Sequence, residues 1–128
     1  CLGALALAGC VGAGAGDAPD VTRGGTLYAQ YCSVCHGPEA RGDGPLARDL
    51  DRPPPDLTRL AAANDAVFPA DRVIAQIHGY PGRFHTMPAF GVLLQGRERI
   101  WIAPDGTRMP TPAALLDIAG WLESVQEG

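Results

Sequence analysis

Cys32-Ser33-Val34-Cys35-His36 is the stretch that decides how this chain is read. Two thiols three positions apart share one helical turn, an imidazole follows directly, and this C-x-x-C-H pattern is the attachment motif for a c-type haem. In that chemistry Cys32 and Cys35 form thioether bonds to the vinyl groups, and His36 binds the iron from the proximal side. Covalent attachment makes the cofactor part of the hydrophobic core. The competing readings fit less well. A thioredoxin-like dithiol belongs in a βαβ setting, and no strand-helix-strand alternation surrounds Cys32. A zinc site needs four ligands. Beyond the two thiols the chain offers His36, His78 and His85, and the spacing of seven between the last two fits no common zinc finger. A chance match of so short a motif is the remaining alternative.

At 128 residues the chain supports one small domain with a limited core. It holds 17 Gly and 12 Pro, well above average usage, while its hydrophobic fraction of 46% is ordinary. Much of it is therefore loop, and a haem would give such loops an apolar surface to pack on. The net charge is −4, with ten Arg and no Lys, and haem propionates would make it more negative. No basic run points to nucleic acid. The expected partner is a redox protein with a basic docking patch, met faster at low salt.

Residues 1–9 are small and apolar, too short to span a bilayer as a helix, and resemble the remnant of a secretory signal peptide. Leu7-Ala8-Gly9-Cys10 matches the bacterial lipobox, in which Cys10 becomes the lipidated first residue. Ordinary cleavage within residues 13–16, or a Cys1–Cys10 disulfide, are the alternatives. Acylation at Cys10 with more than one chain would hold the protein durably at a membrane surface. Export suits thioether formation, which takes place outside the cytoplasm in bacterial cytochromes. It also accounts for four cysteines without a structural disulfide. Residues 10–20 then form a lipidated flexible tether and 21–128 the folded domain, giving a periplasmic, membrane-anchored lipoprotein.

Leu27, Tyr31 and Val34 fall on one face of a helix running into the haem motif. Residues 37–47 are rich in turn formers. Residues 52–55 read as extended until Asp56 caps a short helix over 57–63. Residues 69–79 read as a helix with Pro at its first turn, Val73, Ile74 and Ile77 on one face, and Gly79 ending it. Met87 precedes Pro88, which biases it toward extended backbone in a loop. Met109 also precedes a proline, but it lies two residues before Thr111-Pro112, an expected N-cap and N1 pair that leaves little slack. Residues 99–109 read as a hairpin with an Asp105-Gly106 turn. A final helix over 112–126 carries Leu115, Ile118, Ala119, Leu122 and Val125 on one face.

Gly24 and Tyr28 stand eight and four positions before Cys32, and Met87-Pro88 follows the third helix. With these residues the chain resembles a class I monohaem cytochrome c, in a small bacterial lipoprotein form, over residues 21–126 with an interruption at 91–109. The resemblance implies an all-α fold: three to five helices wrapped round one covalent haem c, with a small hairpin-like insertion before the last helix. It implies that Gly24 and Tyr28 pack on the C-terminal helix, and that a proline carbonyl, best matched by Pro45, accepts a hydrogen bond from His36. It also implies that the segment 55–58 follows the haem edge and that Met87 is the sixth ligand. Met109, His85, His78 or an open position are the alternatives for that ligand. Arg48, Arg52 and Arg59 are candidate propionate partners. Trp101 either covers a haem edge or packs within the insertion, itself a candidate docking element.

The activity so implied is one-electron carriage by a His/Met-ligated haem, with the sulfur ligand favouring the reduced state. No enzymatic reaction and no small-molecule substrate are expected. The alternatives are the haem module of a larger oxidase or dehydrogenase, or a haem enzyme or gas sensor with an open distal site.

Overall fold

The computed structural model describes residues 18–79 and 87–128. The expected leader and most of the tether, with Cys1 and Cys10, lie outside the described residues. Asp20 opens helix α1 (Val21–Tyr31), its carboxylate accepting from the Arg23 amide and so satisfying one of the first turn's free donors. The helix buries Gly24 and Tyr28, and Cys32 continues that face just past its end. It does not run unbroken into the motif. At Cys32 the backbone leaves ideal helical geometry (φ −115°), and a separate short helix α2 spans Ser33–His36. The ladder stays satisfied through the break, because the Cys32 amide donates to Tyr28 and the Cys32 carbonyl accepts from His36. Of the expected face, Leu27 and Tyr31 pack half-buried against the core while Val34 is exposed, and the most buried line on this helix is Gly24, Tyr28 and Cys32.

Helix α1 crosses the last helix at Gly24, where any Cβ would overlap the carbonyl oxygen of Asp117. The missing side chain lets the two backbones touch. One turn on, Tyr28 stacks on Trp121 with ring centroids 4.3 Å apart at 30°, a contact worth about 0.5–1.5 kcal/mol beyond the area it buries. Gly24 and Tyr28 thus pack as the sequence reading expects.

Helix α3 (Ala70–His78) also matches its reading: it starts after Pro69 and stops at Gly79, which is left-handed with φ +87°. The helix expected over 57–63 is instead one 3-10 turn, Leu57–Arg59, followed by further turns. Asp56 caps it, accepting from both the amide and the hydroxyl of Thr58. Regular helix does not continue because the C-terminal tail takes the backbone groups. Gln126 Nε2 donates to the Leu57 carbonyl, the Glu127 amide to the Thr58 carbonyl, and the Ala61 amide to Gln126 Oε1.

The hairpin forms as read, with β1 (Glu98–Ile102) antiparallel to β2 (Arg108–Pro112) and Trp101 opposite Met109. The Asp105 carboxylate accepts from the Thr107 amide and steadies the turn. Among the described residues the architecture is therefore four α-helices plus a two-stranded sheet, mostly helical and not the purely all-α fold expected. Helix α4 (Ala113–Ser124) starts after Pro112, while Thr111 belongs to β2 and donates its hydroxyl to the Met109 carbonyl, so it does not serve as N-cap. Every residue from 113 to 120 on α4 is buried, not one face alone, because α1, α3 and both strands cover it.

The hairpin is also clamped to that helix. Asp117 on α4 is 1% exposed and accepts from Arg99 on β1, from Arg23 on α1 at 2.7 Å, and from the Asp20 amide at 2.8 Å. Arg99 further donates to the Ala18 and Ala113 carbonyls. A buried carboxylate survives only with such partners.

In the haem-loaded protein, Gly24→Ala is expected to wedge α1 from α4 and cost about 1–3 kcal/mol, the usual penalty for overpacking. Urea unfolding measures this as a lower midpoint at unchanged slope. An unmoved midpoint would contradict the close crossing.

Candidate haem site

The motif sits where α1 hands over to α2. Cys32 is buried and Cys35 half-buried, and both thiols are free. Burial, with Cys35 adding to it, pushes the Cys32 thiol up to about 11. Burial likewise holds the His36 imidazole below its ordinary value, while the Pro55 carbonyl pulls the other way. A neutral ring is the form that offers a lone pair to a metal. His36 Nδ1 is buried and has no partner in hydrogen-bonding geometry.

The expected carbonyl was that of Pro45; the one that acts on the imidazole is that of Pro55, which stops short of a hydrogen bond to Nδ1. Residues 42–46 fold back on the motif, the Gly42, Gly44 and Leu46 amides donating to the carbonyls of His36, Cys35 and Val34 at 2.8, 3.1 and 3.0 Å. The proline run 53–55 then passes against Gly42, where a Cβ would overlap the Pro54 carbonyl and lie 3.0 Å from that of Pro55. That return brings Pro55 beside the imidazole. Tyr28 fixes the other side of the motif, its hydroxyl donating to the Gly37 carbonyl at 2.7 Å in a buried bond.

Of the two methionines, Met87 is partly buried and packs on the core cluster that contains Cys32. Gln76 Nε2 donates to its sulfur at 3.7 Å. Met109 lies on β2, 38% exposed, in a hollow of about 310 Å³ that it shares with Trp101 and with Asp71, Ile74 and Ala75 of α3. Trp101 thus faces α3. His78 ends α3, exposed, with Gly91 close against its ring, and His85 lies outside the described residues. Arg48, Arg52 and Arg59 are exposed.

These residues fit haem c. Two free thiols, a neutral imidazole and a core-facing thioether supply the donor set. Tyr31, Leu57, Leu60, Phe68 and Phe90 pack on the same core and remain incompletely covered. Among the described residues, no group of three or more His, Cys, Asp or Glu side chains gathers to hold a metal ion. Sequence reasoning missed Gln76, Pro55 and Asp117.

Tyr28→Phe would leave the buried Gly37 carbonyl with only the Ala40 amide at 3.2 Å, the loss of one of its two hydrogen bonds costing about 0.5–1.5 kcal/mol in urea unfolding of the loaded protein. Burial raises the Tyr28 phenol above its ordinary value of 10.0. The unfolded chain therefore loses this proton first, and the stability Tyr28 contributes is full below pH 10.0 and lost above it. Tyr28→Phe is expected to flatten the alkaline limb of the stability profile; an unchanged limb would contradict the assignment.

No curated protein and no solved structure matches the chain. A family model described as cytochrome C oxidase, cbb3-type, subunit III matches residues 19–104, more than half of the chain, from α1 through the motif, α3 and β1. With the motif's free thiols and His36 in place, the chain belongs to this family, whose cytochrome c domain implies haem c and a role in electron transfer.

Proposed function

We propose that the chain is a one-electron carrier domain holding a single haem c through Cys32 and Cys35, with His36 and Met87 as its axial ligands. The observation that carries this reading is the two cysteines, not joined to each other, and the adjoining imidazole of one C-x-x-C-H turn, inside the matched family region. When bound, the haem supplies a ferric/ferrous couple. His36 is held neutral by burial and steadied through its neighbour Gly37, whose carbonyl is tied to Tyr28. Met87 offers a soft thioether, a ligand that raises the potential. Were His36 and Met87 both to hold the iron, no open position would remain for oxygen or a substrate, and this favours carriage over catalysis.

The carrier works outside the cytoplasm of a bacterium. Among the described residues no helix is long and apolar enough to cross a membrane. The lipobox supports an anchor at Cys10, with residues 11–20 as a tether that lets the domain swing between partners. The net charge of −4 favours partners with a basic docking patch. The family's description also favours a second reading, in which this is the haem module of a larger oxidase. Gentle detergent extraction separates the two: a stable complex supports the module, a free chain the shuttle.

The ferric protein is expected to show the weak far-red band of a methionine-iron bond. Met87→Ala should abolish that band and Met109→Ala should keep it; the reverse would overturn the ligand assignment. Ferrous protein that binds carbon monoxide rapidly would point to an open distal site.

A further inference from the structure

We propose that Gln76 is a positioning residue for Met87: its side-chain amide donates to the thioether sulfur and raises the reduction potential of the site. This rests on the reading of Met87 as an axial ligand. Gln76 lies on α3, a helix fixed by Pro69 and Gly79 at its ends and by Val73 and Ile77 in the core. Its Nε2 stands 3.7 Å from Met87 Sδ, within reach for a donor to sulfur, and both residues are partly buried. A thioether has two lone pairs, so a sulfur that gives one to a metal keeps the other to accept this bond.

The stretch after Met87 is secured without Gln76. The Phe90 amide donates to the Ile77 carbonyl at 2.9 Å, and the Gly91 amide to that of His78 at 3.1 Å. Gln76 is therefore not needed to hold the methionine segment against α3, and its amide is free to act on the sulfur's electronics. A donor on sulfur withdraws electron density. That weakens its donation to ferric iron more than to ferrous iron and so favours the reduced state, one of the outer-shell levers on a redox site.

The test is an optical redox titration of the haem-loaded full chain carrying Gln76→Leu, which keeps the bulk and removes the donor. The potential is expected to fall while the far-red band is retained and shifts position. A merely packing role predicts the opposite sign or no change, because a more apolar neighbour disfavours the charged ferric site. Gln76→Ala repeats the measurement should the leucine variant fail to mature. An unmoved or raised potential, with the band lost in Met87→Ala, overturns this proposal alone. A band that survives Met87→Ala overturns both this proposal and the ligand assignment.

Discussion

The structure depends on Tyr28, which joins two things at one point. Its ring stacks on Trp121 where α1 and α4 cross, and its hydroxyl holds the Gly37 carbonyl just past His36. The helix crossing therefore sets where the motif lies, and Gly24 sets how close the crossing is. In a domain this small, with so much loop, few other contacts could fix a cofactor's attachment point. The Tyr28–Trp121 pair does so because one of its members also spends its polar end on the backbone.

What was legible in the sequence was local. Pro69 and Gly79 bounding α3, and the Asp105-Gly106 turn, each act within a few residues, and both hold in the structure. What was not legible depends on chain brought in from afar. The helix expected over 57–63 loses its continuation to bonds from Gln126 and Glu127. Pro55 takes the place expected of Pro45 because the backbone returns beside Gly42. Asp117 was hidden by the apolar spacing of its own helix, since its partners come from residues 20, 23 and 99. In the site itself, the two cysteines and His36 were readable from spacing. Gln76 was not, because a polar residue on a helix announces itself only once its neighbour across the loop is known.

The segment read as an insertion is tied to the core, burying Leu94 there while most of the hairpin stays exposed. Through Arg99 the hairpin reaches the one buried carboxylate on α4, and in return it covers the face of α4 that α1 leaves open. Its other side meets α3 across the hollow shared by Trp101 and Met109. Helix α3 thus carries the hairpin's hollow on one side and the donor to Met87 on another, and places both relative to the motif.

The proposed electron carriage rests on a porphyrin covalently joined to Cys32 and Cys35. That attachment is tested most directly by denaturing protein matured in a host competent for cytochrome assembly and recording its intact mass and its reduced spectrum together. The expected result is one haem that stays with the unfolded polypeptide, lost when both cysteines are changed to alanine. A colourless chain, or a haem that separates from the wild-type chain on unfolding, would contradict it.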